Sequence, residues 1–250
     1  MNLPRSIYRL SANIIFEIKG MKIYWLQLLV SMLVMPFALL FIMLFSGNLD
    51  PAKVGYGVTG FIIVSLAGSF IGVLSLRITN MMMPSILELY ATFSVSRREM
   101  VSGMGVTYLL LSLPQILLAI AAIYIYIPVD NTFYFLASLL ISIVTICLIS
   151  IWLGLKVKNY FLAMGLFPFI TWILVLLTPA YYEPGNVNNF WFWLIQVNPL
   201  TQCLNIMRNS LGYATQIPVY WSFLYLVIGS SAILWPINRD IKKMFILEKY

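Results

Sequence analysis

Residues 54–76 read VGYGVTGFIIVSLAGSFIGVLSL. The run holds no charged residue and is close to the length of about 20 residues that a helix needs to cross the hydrocarbon core of a membrane. Five other runs share this length and character, at 23–46, 100–126, 133–155, 159–179 and 218–237. The sequence therefore predicts an all-α polytopic membrane protein with six transmembrane helices, organised as a single transmembrane domain over residues 1–250.

The basic residues predict how these spans are oriented. The chain has 15 Lys and Arg residues, and all but Lys53 and Arg208 fall on one side of the membrane if the six runs are spans. Cytoplasmic loops keep an excess of positive charge. We therefore expect a protein of the cytoplasmic membrane with both termini in the cytoplasm. The residues on this inner side are Arg5, Arg9, Lys19, Lys22, Arg77, Arg97, Arg98, Lys156, Lys158, Arg239, Lys242, Lys243 and Lys249.

The composition excludes several classes of protein. With 62% hydrophobic and 9% charged residues, a soluble domain of 250 residues could not bury its apolar surface. The net charge of +7 is spread over separate loops, which favours anionic lipid headgroups over nucleic acid as the partner. The chain has no His, so zinc sites of the HExxH type and Ser–His or Cys–His dyads are excluded.

The sequence also favours an energy source outside the chain. No GxxxxGK phosphate loop is present, and no charged residue lies within a span away from its ends, where ion-coupled transporters usually keep ionisable groups. We therefore predict that the chain is not an enzyme, has no catalytic residue, metal ligand or cofactor of its own, and draws energy from a partner protein.

The N-terminal segment 1–22 is predicted to form an amphipathic helix in the membrane interface. Aliphatic side chains recur at helical spacing on one face, and polar ones occupy the other. The alternative is a solvated tail, which the continuous apolar stripe disfavours. The two faces consist of Ile7, Leu10, Ile14 and Ile18 on one side, and Arg9, Asn13 and Glu17 on the other.

The inner segment 77–99 predicts a short cytoplasmic helix. Pro84 suits a first helical turn, and the helix then continues through Tyr90. Ser96 and Glu99 have the spacing of a capping box, which would start the third span sharply. A short amphipathic helix on this face is suited to docking into another protein. The alternative is a loop helix that lies on the lipid.

The outer segment 180–217 is too long for a hairpin and too apolar for a free loop. It carries aromatic residues that include Trp191 and Trp193, followed by Asn198 and Pro199. We expect two short helices, broken at Asn198, that re-enter the membrane where protein or water lines their backbone. The alternative is an aromatic layer that anchors the outer face.

Two motifs resemble those of the ABC type-2 transporter permeases. The first comprises Leu87-Glu88-Leu89 and then residues 92–99, TFSVSRRE; the second is Asn198-Pro199-Leu200-Thr201 followed by Arg208. The interfacial helix, the six spans and the inner termini resemble the same family, so the resemblance covers the whole chain. Ser94 stands near where members often carry Pro, and the outer segment is short.

The resemblance implies the permease subunit of an ATP-driven ABC exporter. A separate nucleotide-binding ATPase subunit would carry ATP and Mg, and a second copy or a similar permease would complete the membrane part. Substrates would be an amphipathic drug, lipid, peptide or lipid-linked glycan, passing between the first, second and fifth spans of two copies. A stand-alone channel or ion-coupled carrier is the alternative.

By the same resemblance, two groups of residues have functional roles. The coupling helix would contact the ATPase, although Glu88 could also be an exposed residue on a loop helix. The outer gate would close the path, although Arg208 could also contact headgroups. The coupling group is Glu88, Leu89, Tyr90, Ser96, Arg97, Arg98 and Glu99, and the gate group is Trp191, Trp193, Asn198, Pro199 and Arg208.

Overall fold

The computed structural model describes residues 3–20, 26, 34, 37, 38, 41, 51–91, 96–127, 129, 131–182 and 188–243. Every regular element in these residues is a helix, so the all-α class is confirmed. In chain order the helices are α1 (Leu3–Gly20), α2 (Pro51–Ala67), a π-helical segment (Gly68–Leu74), α3 (Ser75–Met81), α4 (Pro84–Ala91), α5 (Arg97–Tyr126), α6 (Thr132–Lys156), α7 (Tyr160–Leu177), α8 (Asn189–Val197), α9 (Pro199–Ser210) and α10 (Val219–Lys243).

Five of these helical stretches are long and apolar enough to cross a membrane. They correspond to the second to sixth predicted spans and cover Lys53–Met81, Arg97–Tyr126, Thr132–Lys156, Tyr160–Leu177 and Val219–Lys242. The first predicted span, 23–46, lies outside the described residues except at a few isolated positions. The polytopic helical architecture is therefore confirmed, and the first span, 23–46, stays a prediction.

The second span forms the centre of the bundle. Its side chains are buried on every side, including Ile62, Phe70, Leu74 and Ile78, which are fully buried. A helix that is apolar all round belongs in such a position. It packs against α5, α6, α7 and α9. The surrounding spans leave large apolar side chains exposed on their outer faces, as lipid-facing helices do.

The second span continues further inward than predicted. The sequence placed its end at residue 76, before Arg77, but α3 remains helical to Met81. The reason is that the Arg77 side chain is paired with Glu17 of α1, so the charge is accommodated beside the helix and does not terminate it. The connection between the second and third spans is correspondingly shorter than the segment 77–99. The π-helical segment in the middle of the span had no sequence signal.

Helices α3 and α6 approach closely because one of them lacks a side chain at the contact. A Cβ added to Gly154 would lie 2.7 Å from the backbone oxygen of Ser75 and 2.8 Å from Cβ of Ile78. Two hydroxyls use this closeness: Ser75 donates to the carbonyl of Ser150 at 2.9 Å, and Thr79 donates to the carbonyl of Gly154 at 2.9 Å. Small residues and interhelical hydroxyl bonds are typical of packing in membranes.

Basic residues assigned to the inner side lie together at one end of the bundle. Lys156 Nζ is 2.9 Å from Asp240 Oδ2, and Arg97 donates to the carbonyl of Lys242 at 2.6 Å. At the opposite end the Tyr134 hydroxyl donates to Asn209 Oδ1 at 3.1 Å. The alternation of the described spans therefore agrees with the predicted topology.

Gly154→Ala is expected to destabilise the protein, because the new methyl group would push against the backbone of Ser75. Overpacking of this kind costs about 1–3 kcal/mol. The thermal unfolding midpoint of the purified chain in detergent checks this. Gly165→Ala is the matched control, since nothing lies within 4 Å of a Cβ there. Equal midpoints for the two variants would contradict the close approach of α3 and α6.

Candidate functional site

Helix α4 is the short inner helix that the sequence predicted. It begins at Pro84, as expected, and ends at Ala91. Ser85 and Glu88 are exposed, whereas Tyr90 is buried, with 3% of its surface accessible. The side chain of Leu89 lies outside the described part of the structure. The helix therefore has an outward polar face at Glu88 and an inward anchor at Tyr90.

Tyr90 belongs to a buried cluster with one acid and one base. Arg77 Nε donates to Glu17 Oε2 at 2.9 Å and Arg77 Nη2 donates to Glu17 Oε1 at 3.2 Å. The Tyr90 hydroxyl donates to Glu17 Oε1 and accepts from Arg77 Nη2 at 3.3 Å. The Glu17 side chain is fully buried. Three elements, α1, α3 and α4, thus meet at a single forked ion pair, the geometry that guanidinium and carboxylate favour.

The charges of this cluster compensate one another. An isolated carboxylate at such depth would be strongly disfavoured, and Arg77 supplies the opposite charge with two hydrogen bonds. Burial raises the pKa of the Tyr90 phenol, and the neighbouring Glu17 charge raises it further. The phenol consequently keeps its proton and remains a donor to the carboxylate. The ring of Phe16 packs edge-on against Tyr90, with 5.8 Å between centroids.

The polar face of α1 is turned towards the protein. Asn13 Nδ2 donates to the carbonyls of Glu99 and Met100, each at 3.3 Å, and Glu17 reaches Arg77. Ile15 and Ile18 are exposed instead. The sequence pattern places Asn13 and Glu17 only on the polar face of an amphipathic helix. Their partners have no local signal, because they lie on other helices far along the chain.

The start of α5 confirms the predicted capping box. The Glu99 amide donates to Ser96 Oγ at 3.4 Å, and the Ser96 amide donates to Glu99 Oε2 at 2.8 Å. The Arg97 guanidinium donates to the backbone carbonyl of Lys242 in the last turn of α10. The last carbonyls of a helix are a favourable place for a cation. Arg98 is exposed. Within the predicted coupling group, then, Glu88 and Arg98 face outward, while Tyr90 and Arg97 fasten the segment to the chain.

The outer segment contains the predicted break at Asn198. Helix α8 ends at Val197, and α9 begins at Pro199, the favoured first helical position for proline. Asn198 Oδ1 accepts from the Leu200 amide at 3.0 Å, and its Nδ2 donates to the carbonyl of Leu174 at 2.7 Å. The side chain therefore caps α9 and ties it to the end of α7. Entry of this pair into the membrane stays a prediction.

Arg208 of α9 is held by carbonyl oxygens. It donates to the carbonyls of Pro179 at 2.8 Å, Ala180 at 2.9 Å and Tyr56 at 3.2 Å, and to Thr59 Oγ1 at 3.3 Å. Its guanidinium carbon lies 3.2 Å from the centroid of the Tyr56 ring, a cation–π contact. Only 4% of Arg208 is exposed. The residue joins α9, the outer end of α2 and the turn after α7.

The predicted gate residues do not form one group. Asn198, Pro199 and Arg208 belong to the packed layer around α9, whereas Trp191 and Trp193 are exposed on the outer side of α8. The inward side of the same segment carries an amide network that sequence analysis did not identify. In it, Gln202 donates to Gln196, Asn205 Nδ2 donates to Gln196 Oε1 at 3.4 Å, and Ser222 donates to Gln202 Oε1 at 2.7 Å. The available signal was the pair Gln202 and Asn205, three positions apart on the short helix α9.

No metal site is apparent in the described part of the chain, because no three acidic or Cys side chains come together there. The chemistry of both candidate sites is thus that of hydrogen bonding and charge pairing. The inner site connects helices to a short exposed helix, and the outer site connects helices to a turn.

A comparison with protein families agrees with the motifs. The model of the family described as "ABC-2 type transporter" matches residues 8–211. The matched range contains both resembling motifs, the Glu17–Arg77–Tyr90 cluster and Arg208. A comparison with curated proteins finds no match.

Arg208→Lys is expected to lower the thermal unfolding midpoint. An ammonium group has three N–H donors and cannot reproduce the planar arrangement of the five donors of a guanidinium. Losing hydrogen bonds to a buried charge costs about 1.5–3 kcal/mol each. Arg98→Lys, at an exposed position of the same chain, should change the free energy of unfolding by less than about 0.5 kcal/mol and leave the midpoint close to that of the wild type. If both variants melt like the wild type, Arg208 does not hold the outer end together.

Proposed function

Since the chain belongs to the ABC-2 type transporter family, we propose that it is the membrane subunit of an ATP-driven exporter. Membership makes it a permease subunit of an ABC transporter, a transport chain and not a catalytic one, and implies an ATPase partner in a membrane. The export direction, the substrate and the way the partner engages the chain are our proposal. ATP and Mg²⁺ would be bound by a separate nucleotide-binding subunit.

The observation that carries the proposal is the arrangement of α4. This helix lies at the end of the bundle where basic residues gather. It presents Ser85 and Glu88 outward and is anchored by Tyr90. A short helix that is exposed on one side and firmly attached on the other can be bound by a partner and can pass on its displacement. We therefore assign the ATPase contact to α4 around Glu88, and include the exposed Arg98 at the start of α5.

A second copy of the chain, or a similar permease, would complete the transport path. Helix α7 supports this assignment, because much of its apolar face is uncovered by the described helices. Phe161 is 79% exposed and Leu176 64%. An amphipathic drug, lipid, peptide or lipid-linked glycan suits a path bordered by such a surface, since its apolar part can remain against apolar side chains. The exposed aromatic rings of α8 lie near the outer end of the same path.

A stand-alone channel or ion-coupled carrier is less well supported. A carrier needs an ionisable group that faces its path. In the described residues, Glu17 and Arg77 neutralise each other, and Arg208 is bound by carbonyl oxygens. These charges therefore have structural partners within the chain.

Glu88→Lys is expected to weaken binding of the ATPase, because it reverses the charge at the centre of the proposed contact. The measurement is the molar ratio of ATPase to tagged permease after gentle purification from native membranes. The wild type should retain a stoichiometric ATPase and Glu88→Lys several-fold less. Lys158→Glu reverses an exposed charge in the inner α6–α7 turn and should retain the wild-type ratio. An unchanged ratio in Glu88→Lys would remove α4 from the contact.

The proposed orientation is tested by cysteine accessibility. A membrane-impermeant maleimide should label Ala214→Cys in intact cells and Ser85→Cys only in inverted vesicles, because both positions are exposed and lie at opposite ends of the bundle. The native Cys203 is buried and Cys147 lies within a span. Labelling of the parent chain, which has only these two cysteines, therefore measures the background. The reverse labelling pattern would overturn the inside location of α4.

A further inference from the structure

We propose that Glu17, Arg77 and Tyr90 form a joint that makes α1, the inner end of the second span and α4 move as one unit. This inference rests on the proposed function and specifies how displacement of α4 by the ATPase would reach the membrane helices. The three side chains act as positioning residues, because they would contact neither ATP nor substrate.

The attachment of α4 to the rest of the described chain has two parts. The first is a hydrogen-bonded turn, in which Met82 N donates to Thr79 O at 3.0 Å and Met83 N to Asn80 O at 3.1 Å. The second is Tyr90, the only fully buried member among the described side chains of α4. A helix fixed at its beginning by a turn and near its end by a buried phenol cannot rotate freely against α3.

Arg77 connects this attachment to α1. Its guanidinium donates both to the Glu17 carboxylate and to the Tyr90 oxygen, while Tyr90 donates to the same carboxylate. Each group therefore bonds to both of the others. Withdrawal of α4 from α3 would break the two hydrogen bonds of the Tyr90 hydroxyl. The fully buried Glu17 carboxylate would then lose one of its hydrogen-bond donors.

The joint continues into the spans through bonds already described. On α3, Ser75 and Thr79 donate to backbone carbonyls of α6, at a place where Gly154 allows close approach. On α1, Asn13 donates to the Glu99 and Met100 carbonyls at the start of α5. Displacement of the unit would thus be felt by the third and fourth spans as well as the second.

Stability alone does not account for such a cluster. Replacing a buried ion pair by apolar residues of similar volume is often neutral or stabilising, because desolvation offsets the attraction. What a forked ion pair with a shared phenol provides is a single relative geometry of three helices. A fixed geometry is the property that transmission of movement requires.

The experiment uses the permease with its co-purified ATPase in lipid nanodiscs. The reporter is the rate at which maleimide labels Ala214→Cys at the outer end, with and without ATP plus vanadate. In the parent complex, nucleotide should change this rate.

In Tyr90→Phe the ring contact with Phe16 is kept and the hydroxyl is lost. The nucleotide-dependent change should fall roughly tenfold, the factor associated with a hydrogen bond to a charged group. The change is compared between preparations that contain equal amounts of bound ATPase.

Two further variants separate transmission from folding. Tyr124→Phe removes the hydroxyl of a tyrosine that is 43% exposed on α5 and should respond like the parent. Glu17→Arg and Arg77→Glu should each abolish the response, and the double variant should restore it, because the pair is then reversed and Tyr90 can still bond to both groups.

The outcomes are distinguishable. A parent chain that binds no ATPase would overturn the proposed function and the joint together. A parent that responds to nucleotide, with an equal response in Tyr90→Phe and both single charge variants, would overturn the joint alone. A folded double variant with wild-type melting but no restored response would likewise show that the pair does not transmit movement.

Discussion

Two guanidinium groups, one buried at Arg208 and one partly buried at Arg77, fix the two ends of the second span. Arg208 holds its outer end, through the carbonyl of Tyr56 and the hydroxyl of Thr59, and Arg77 holds its inner end through Glu17. Between them most side chains of the span are apolar, and two hydroxyls add directional contacts: Ser65 donates to Gln115 Oε1 of α5, and Ser75 donates to the carbonyl of Ser150 on α6. The other helices pack around this span, so their arrangement depends on where these two groups place it.

Polar residues elsewhere in the protein also bond within the chain. A membrane offers no water to satisfy a buried polar group, so each must bond within the protein. Hydroxyls on α3 bond to carbonyls of α6, and the amides of Gln196, Gln202 and Asn205 bond to one another. Helix α9 is polar and buried among other helices, whereas α8 carries the exposed aromatic rings. The outer segment therefore combines a packed polar layer with an apolar surface.

Local features of the fold were predictable, and long-range pairings were not. The spans follow from apolar length, and the starts of α4, α5 and α9 follow from Pro84, the Ser96–Glu99 box and Asn198-Pro199, because caps and proline act over a few residues. Arg77 was assigned to a loop, because its partner Glu17 lies 60 positions away and no local pattern connects them. The partners of Arg208 are largely backbone carbonyls, which have no signature in a sequence. The roles of Glu88 and the gate residues were inferred from resemblance alone and stay predictions.

The difference between the two guanidinium sites has a genetic consequence. At the inner site both partners of Arg77 are side chains, so a change at one position can be compensated by a change at another, and revertants can arise at second sites. At the outer site three of the four described acceptors are main-chain oxygens, which remain whatever residue replaces Tyr56, Ala180 or Pro179. A defect at Arg208 therefore offers few second-site suppressors, and a selection for revertants would mostly recover arginine at the original codon.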